Sequence, residues 1–250
     1  ITHCKKIGIQ YLCTPFCPKA VEVLDELGVE AFKTGSGEMM NYPLMEKIAQ
    51  TKKPVIVSTG MCSLKEIEET VKFLKTLKVK FMLTNCTSIY PAPYSSINLG
   101  LIKKYRDKFN IPVGHSDHTP DIWTSLGAVS LGACLIEKHF TLNRQMKGPD
   151  FKVSLEPKEF KLMVEGVHKI FAALGNKKEI HTEEKIVRDW AHHSVVTLKE
   201  IPKGSILNED LIYVKRPGRG IPAKFLKKLY NKKAKRTLPK DKILQWEDIS

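Results

Sequence analysis

Short apolar runs alternate with amphipathic segments along the first 175 residues of the chain. The runs contain few polar positions, as strands of a parallel sheet do when helices cover both of its faces. The segments between them repeat apolar residues three or four apart, which is the spacing of one helix face. The pattern predicts six consecutive strand–helix units, with strands at residues 8–14, 31–36, 54–60, 79–86, 112–116 and 134–139.

The predicted helices carry recognisable start and stop signals. The first begins at Pro18 and ends at Gly28, which is the usual placement of these two residue types. The third, at residues 64–78, starts with Ser63 and Glu66 in the spacing of a capping box. The remaining helices are expected at residues 42–51, 99–109, 121–131 and 157–174.

Six units of this kind indicate an α/β protein in which helices wrap a parallel sheet. A closed (β/α)8 TIM barrel has eight units, so we expect a TIM barrel that lacks its first two βα units in this chain. An open doubly wound sheet is the alternative, but no Gly-rich dinucleotide-binding motif follows any of the strands.

The pattern changes after Gly175, where short β-like pieces alternate with Pro and Gly turns. We expect a barrel domain at residues 1–178, a polar linker at residues 179–189 and a small, mostly β domain at residues 190–250. In the small domain, strands are expected at residues 194–197, 206–207, 212–215 and 243–245, and one short helix at residues 225–230.

The net charge of +14 is concentrated in the second domain, since residues 187–250 hold 15 Lys and Arg against 7 Asp and Glu. A basic surface suits either a nucleic acid or an anionic substrate. The aromatic residues Tyr213, Phe225, Tyr230 and Trp246 are scattered rather than interleaved with basic residues. This distribution argues against nucleic acid as a partner.

The six cysteines predict the environment of the protein. Cys13 and Cys17 lie four residues apart with no second close pair, so they do not match a zinc site. Most of the cysteines fall within apolar runs, which predicts reduced, buried thiols in a cytoplasmic protein. No apolar run reaches the roughly 20 residues of a membrane-spanning helix, so we expect no membrane association.

Polar residues gather where the predicted strands end. The carboxyl ends of barrel strands meet at one mouth, where active sites form. The clusters are Thr14, Lys33 with Ser36 and Glu38, Ser58 with Thr59, Asn85 with Ser88, Ser116 with His118, and His139. The sequence therefore predicts an active site at this mouth.

Residues 33–38, Lys-Thr-Gly-Ser-Gly-Glu, are the most informative of these clusters. Glycines let the backbone approach a bound group closely, while Ser36 offers a hydroxyl and Lys33 a positive charge. This combination predicts a site for a phosphate or carboxylate, with the carboxylate of Glu38 held beside it. A plain strand-to-helix turn is the alternative interpretation.

His118 and His139 follow adjacent predicted strands, so their imidazoles can meet over the mouth. Two neutral histidines with open coordination positions suit a catalytic divalent ion. The alternative is a pair of polar residues at a solvated rim. His115 lies out of alternation with Ser116, so we expect it to point away from the mouth.

Two loops complete the predicted mouth. Two prolines stiffen residues 86–94, where Tyr90 can pack on a substrate or donate a hydrogen bond to it. Asp150, in the loop after the sixth strand, can bind sugar hydroxyls or form a turn.

In this order and spacing, the clusters resemble the sialic acid synthase family. The resemblance rests on residues 13–16, 33–38, 58–61, 86–93, 116–119, 137–140 and 148–150, and it covers nearly the whole chain. Residues 194–196, 201–204 and 215–218 are similar to the carboxy-terminal antifreeze-like (SAF) domain of that family.

The resemblance implies an enzyme that condenses phosphoenolpyruvate with an N-acetylmannosamine-type aldose and water. The products are N-acetylneuraminate, a nine-carbon sialic acid, and phosphate. It further implies that His118 and His139 hold Mn²⁺ or Mg²⁺, which polarises the aldehyde oxygen. A domain-swapped homodimer is also implied, in which Arg216 reaches the site of the neighbouring subunit near the N-acetyl group.

Position by position, the resemblance implies three sets of site residues. Glu38 and Lys33 correspond to catalytic residues, and Tyr90, Asp150 and Arg216 to residues that contact the sugar. Phosphoenolpyruvate binding is implied for Thr14, Lys33, Ser36, Ser88 and Ser116.

The chain departs from the family pattern in two respects. Position 88 is serine where many relatives have asparagine. The family's first two barrel units, with an acidic residue and a lysine of the active site, have no counterpart in this sequence.

Sister synthases that make legionaminic or pseudaminic acid are the nearest alternatives. Pseudaminic acid synthases tend to have Ala-Ser at the positions of Gly35 and Ser36, which argues against that branch and leaves legionaminic acid open. An alternative of another class is an inactive fragment that acts as a basic anion-binding module.

Overall fold

The apolar runs form a curled parallel sheet in a computed structural model that describes all residues, Ile1–Ser250. Five strands lie in sequence order: β1 (Phe32–Thr34), β2 (Val55–Ser58), β3 (Phe81–Cys86), β4 (Val113–Asp117) and β5 (Ile136–Lys138). Every neighbouring pair is parallel. This half-barrel confirms the predicted α/β fold class, and it belongs to the first of two compact units, unit 1 (residues 1–175) and unit 2 (residues 176–250).

Seven helices surround the sheet in unit 1. They are α1 (Thr2–Ile7), α2 (Pro18–Glu26), α3 (Tyr42–Gln50), α4 (Leu64–Thr76), α5 (Gly100–Phe109), α6 (Trp123–Ser130) and α7 (Pro157–Ala173). The predicted capping box is present, because Ser63 Oγ accepts from Glu66 N at 3.3 Å and Glu66 Oε2 accepts from Ser63 N at 2.7 Å. None of the helices is both long and apolar enough to cross a bilayer.

The outer face of the sheet packs on the helices to form the main core. Phe32, Val57 and Leu83 are fully buried there against residues such as Leu44 and Ile67 on the helices. Side chains alternate between the two faces of a strand. Lys33, Ser58, Cys86, Ser116 and Glu137 alternate with these residues and therefore turn to the inner face. Three of them are neighbours in register, since Ser116 lies opposite both Cys86 and Glu137.

The strand predicted at residues 8–14 is wrong. Gly8 ends α1 in the left-handed region, with φ 75°, and Ile9 N donates to Cys4 O at 2.9 Å. These bonds continue the turn at the end of the helix, so the apolar run that follows forms no ladder with β1. The sheet consequently has five strands rather than six.

Unit 2 contains a two-stranded antiparallel sheet of β6 (Ser194–Thr197) and β7 (Ile212–Lys215), both at their predicted positions. The short helix α9 (Leu226–Leu229) follows. The expected strands near Ile206 and Ile243 are reduced to isolated bridges. A separate core of buried aliphatic residues, among them Val195, Ile201 and Leu244, holds the unit together.

A polar linker was expected at residues 179–189, but residues 182–189 belong to helix α8 (Thr182–Ala191). Glu184 Oε2 accepts from His181 N at 3.0 Å and so satisfies a donor that precedes the helix. Glu183 and Glu184 also place negative charge in the first turn, where the helix dipole favours it. These local signals outweigh the polar composition that suggested a linker.

Acidification below about pH 6.5 is expected to lower the free energy of unfolding, because of His115. The ring is buried, Nδ1 bonds to Asn85 O at 3.0 Å, and Nε2 has no partner. Burial lowers the pKa of His115, although Asp117 opposes this effect. The unfolded chain takes up a proton near pH 6.5 that the folded chain does not, so stability is lost as the pH falls through that value.

Urea denaturation at about pH 7.5 and about pH 5.5 measures this loss. The variant His115→Asn lacks the titrating ring and retains a donor for Asn85 O, so its stability should decline less between the two conditions. An equal decline in both proteins would show that His115 is not responsible.

Candidate active site

The carboxyl ends of the five strands border an open cleft of about 520 Å³. Its lining comes from every strand of the sheet and from the segment before α2. The residues are Thr14, Phe16, Lys33, Gly35, Ser36, Gly37, Ser58, Met61, Cys86, Ser88, Tyr90, Ser116, His118, Glu137, Lys138 and His139. Parallel strands bring their ends to one edge, so side chains far apart in sequence converge there.

Lys33 provides a positive charge on the floor of the cleft. Its Nζ lies 3.2 Å from Glu137 Oε1, and the lysine side chain is only 15% exposed. The second oxygen, Glu137 Oε2, is buried and has no hydrogen-bond partner within the chain. An unsatisfied buried carboxylate oxygen is costly unless a donor reaches it. Glu137 Oε2 is thus a hydrogen-bond acceptor that no group of the chain uses.

Serine hydroxyls cluster beside this charge. Ser36 Oγ lies 2.9 Å from Ser58 Oγ and accepts from Gly60 N at 3.1 Å. A Cβ at Gly60 would lie 2.3 Å from Ser88 Oγ and 2.6 Å from Ser36 Oγ, so any other residue there would displace these hydroxyls. The missing side chain lets three hydroxyls and a backbone amide meet around one point. Such a cluster suits the oxygens of an anionic group.

His118 and His139 form the other side of the cleft. Their ring centroids are 5.2 Å apart, and Tyr90 packs on both rings, at 4.2 Å and 5.7 Å. His118 Nδ1 donates to Thr87 O at 2.7 Å, so Nε2 is the ring nitrogen that would bind a metal, and it is also the nitrogen that interacts with Cys86. Asp150 Oδ2 lies 3.8 Å from His139 Nδ1.

The donor set of this pair fits a divalent ion with open coordination positions. Two imidazoles with ring centroids 5.2 Å apart are present, and the carboxylates of Glu137 and Asp150 lie near them. The chain has no group of three or more His, Cys, Asp or Glu side chains spaced as a complete metal site. His118 and His139 would therefore supply two ligands and leave the remaining positions to water or substrate.

Cys86 lies between the serines and the histidines. Its Sγ is 3.5 Å from Ser36 Oγ. Burial alone would raise the pKa of the thiol, but hydrogen bonding to His118, Ser58 and Ser36 outweighs it and lowers that pKa to about 7. Burial would likewise lower the pKa of His118, but the hydrogen bonds with Cys86 and Thr87 raise it. The two groups therefore stabilise each other's charged forms.

A buried ion pair lies behind the two histidines, on the outer face of the sheet. Lys138 Nζ is 3.1 Å from Asp117 Oδ2, and both side chains are fully buried. The same carboxylate accepts hydrogen bonds from Thr119, Thr124 and Ser125. Burial would raise the pKa of Asp117, but Lys138 and these hydrogen bonds hold it below its usual range.

The structure brings most of the predicted site residues together. The cleft is lined by Thr14, Lys33, Ser36, Ser88, Ser116, Tyr90, His118 and His139, and Asp150 lies beside His139. Glu38 is not among the lining residues, and its Oε2 accepts from Asn41 Nδ2 at 2.5 Å. Arg216 lies on a loop of unit 2, after β7. His115 points to the outer face, as its place in the alternation predicted.

Glu137 and Cys86 are cleft residues to which the sequence interpretation gave no role. A usable signal existed for both, since Glu137 is two positions before His139 and Cys86 is two before Ser88. Residues two apart on a strand share a face. The period-2 pattern could therefore have placed both side chains at the mouth.

Comparison with known proteins assigns the chain to a family. The sequence profile of the NeuB family matches residues 1–179, and that of the SAF domain matches residues 192–250. The chain belongs to the NeuB family. This assignment confirms the resemblance to sialic acid synthases and to their SAF domain.

Relatives of this NeuB chain extend over nearly all of it. It is 44% identical to an uncharacterized protein of Methanocaldococcus jannaschii, over 99% of this chain and 74% of that protein. It is 42% identical to the N,N'-diacetyllegionaminic acid synthase of Campylobacter jejuni, over 98% of this chain and 75% of the synthase.

A solved relative supports the same fold for this NeuB chain. The crystal structure of N-acetylneuraminic acid (sialic acid) synthetase from Leptospira borgpetersenii, in complex with citrate, is similar with a TM-score of 0.69 at 37% identity. The match covers 73% of this chain and 65% of that one.

Proposed function

We propose that this protein joins phosphoenolpyruvate, a 2-acetamido aldose and water into a nine-carbon sialic acid with release of phosphate. The observation that carries the proposal is the cleft itself, where Lys33 and three serine hydroxyls lie opposite two convergent histidines. One side suits an anionic phosphate or carboxylate, and the other suits a carbonyl oxygen. Family membership supports the same reaction class.

In the proposed reaction, C3 of phosphoenolpyruvate attacks the aldehyde carbon and a carbon–carbon bond forms. The aldehyde oxygen takes up a proton and becomes a hydroxyl. Water then adds to the cationic C2 and loses a proton. The C2–O bond to phosphate breaks last, which leaves a 2-keto acid and inorganic phosphate.

The residues of the cleft have separable tasks in this scheme. Lys33, Ser36, Ser88, Ser116 and Thr14 bind the phosphate and carboxylate of phosphoenolpyruvate. Tyr90 and Asp150 contact the sugar from the side of the histidines. A second chain would contribute Arg216 in a homodimer.

Two carboxylates are candidates for the proton that water releases. The family pattern favours Glu38, and the position of Glu137 in the cleft lining beside Lys33 favours Glu137. His118 and His139 would hold Mn²⁺ or Mg²⁺, which when bound supplies a positive charge to stabilise the developing alkoxide.

Two sugars are candidates for the aldose. N-acetylmannosamine would give N-acetylneuraminate, and the 37% identity to the Leptospira borgpetersenii synthetase supports it. A 6-deoxy diacetamido sugar would give N,N'-diacetyllegionaminic acid, and the 42% identity to the Campylobacter jejuni synthase supports that product.

Incubation of the protein with phosphoenolpyruvate, Mn²⁺ and each sugar in turn tests the function. We expect release of phosphate and a product whose mass equals both substrates plus water minus phosphoric acid. The sugar with the larger kcat/KM identifies which of the two sialic acids the protein makes. No phosphate release with either sugar, under conditions where the protein is folded, would contradict the proposal.

Replacement of Lys33 by methionine is expected to weaken phosphoenolpyruvate binding by about 10- to 100-fold. A charged hydrogen bond contributes about 1.5–3 kcal/mol, which corresponds to that range. Titration calorimetry with phosphoenolpyruvate measures the loss without requiring turnover. Lys103→Met removes an exposed lysine from α5 and serves as the matched control. Equal affinity in wild type and Lys33→Met would remove Lys33 from the binding site.

A further inference from the structure

The loop that carries Arg216 is fixed at both ends within unit 2. Ser194 is fully buried, and its Oγ donates to Pro217 O at 2.7 Å and accepts from Gly220 N at 2.8 Å. One hydroxyl thus bridges the two sides of residues 216–220 and ties them to the start of β6. These two hydrogen bonds restrain the backbone of the loop on both sides of Gly218.

Helix α8 holds the middle of the same loop. Gly218 N donates to Asp189 O at 2.8 Å, and Arg219 Nε lies 3.2 Å from Asp189 Oδ2. A Cβ on Gly218 would lie 2.5 Å from His192 Cβ, so the backbone packs directly against the end of the helix. Only glycine allows the backbone at position 218 to lie this close to His192, so the contact between the loop and α8 depends on Gly218.

Trp190, the residue after Asp189, lies under the guanidinium of Arg216. Arg216 Cζ is 5.5 Å from the centre of the indole ring, within the range of a cation–π contact. The ring is half exposed, and α8 buries none of its residues. Its apolar bulk is therefore not explained by packing in a core. A guanidinium stacked on a ring keeps its N–H edge free for a ligand.

We propose that Trp190 is a positioning residue that orients Arg216 toward the acylated amino group of the sugar. The inference rests on the proposed function, in which Arg216 contacts the sugar. Residues 180–191 lie between the segments that match the NeuB and SAF profiles, so neither match assigns a role to α8. An arginine side chain has many rotamers, and stacking on indole limits them before the sugar binds.

Steady-state kinetics of Trp190→Ala, Trp190→Phe and Ile186→Ala test the proposal. Trp190→Ala is expected to raise the KM for the sugar by about 2- to 30-fold, the range that a cation–π contact represents. The KM for phosphoenolpyruvate and kcat should stay within about 2-fold, and Trp190→Phe should restore most of the loss because an aromatic face remains. Ile186→Ala, also exposed on α8, is expected to match wild type.

Three outcomes would overturn the inference. These are an unchanged KM for the sugar in Trp190→Ala, an equal defect in Trp190→Phe, and an equal rise in the KM for phosphoenolpyruvate. The last two would indicate that the tryptophan supports the fold rather than the orientation of Arg216.

The contact can also be measured without turnover. The Nε–H resonance of Arg216, assigned with Arg216→Lys, is expected to be shifted upfield by the ring current of Trp190 and to move back in Trp190→Ala. A protein with this shift but no synthase activity would contradict the proposed function and support the contact. An active enzyme without the shift would overturn the inference alone.

Discussion

Replacement of His118 or His139 by alanine is expected to reduce metal-dependent phosphate release by on the order of 10³-fold. A bound divalent ion contributes several kcal/mol of transition-state stabilisation, which corresponds to that factor. Each variant removes one of the two imidazoles that meet over the cleft with ring centroids 5.2 Å apart. Phosphate release measured across a range of Mn²⁺ concentrations checks the result.

Two further measurements separate a metal role from a structural one. His181→Ala removes an exposed histidine before α8 and should keep wild-type activity. Binding of Mn²⁺, followed by electron paramagnetic resonance, should be lost in both cleft variants even without substrate. Normal turnover in either variant would exclude the pair as the metal site.

Breaking the ion pair between Asp117 and Lys138 is expected to cost about 3–5 kcal/mol of unfolding free energy, since one partner then remains buried and uncompensated. Both side chains are fully buried, and four hydrogen bonds from Thr119, Thr124 and Ser125 satisfy the carboxylate. Urea denaturation of Lys138→Met and of Asp117→Asn measures the cost.

The double variant Asp117→Asn/Lys138→Met should be less destabilised than the sum of the two single variants, because it leaves no unpaired charge. The matched control is Lys161→Met on α7, whose partner Glu165 is 4.0 Å away at an exposed site. Its stability should equal that of wild type within error. Strict additivity in the double variant would show that the two side chains do not interact.

The same ion pair links the fold to the site. Asp117 and Lys138 lie opposite each other on β4 and β5, and each directly precedes one of the two histidines. Side chains alternate along a strand, so a pair fixed on the outer face sets the spacing of the next residues on the inner face. Variants of this pair should therefore also weaken Mn²⁺ binding.

Secondary structure was predictable where local signals were complete. Ser63 and Glu66 set the start of α4, and Pro18 that of α2, because these residues satisfy or remove donors within one turn of the chain. The run at residues 8–14 has the composition of a strand, but a strand also requires a neighbour with free ladder groups. Here Gly8 closes α1 and the run pairs with no strand.

The candidate site was predictable to the extent that it follows from strand ends. Lys33, Ser116 and His118 come at the end of apolar runs, and parallel strands bring those ends together. Glu38 shows the limit of this reasoning, since a short 3₁₀ turn at Ser36–Glu38 carries its side chain toward Asn41. The partnership of Lys33 with Glu137 joins residues 104 positions apart in the chain. No local pattern in the sequence specifies which two strands supply the side chains of one ion pair.

The sequence by itself determined the alternation of strands and helices, the presence of a second basic domain, and the clusters of polar residues after each strand. These features depend on periodicity and on contacts within a few residues. Only the tertiary structure decided which polar groups meet: the unpartnered oxygen of Glu137 beside Lys33, Cys86 against His118, and Trp190 under Arg216. Their energies depend on burial and on distances across the fold, and neither is set until the chain has packed.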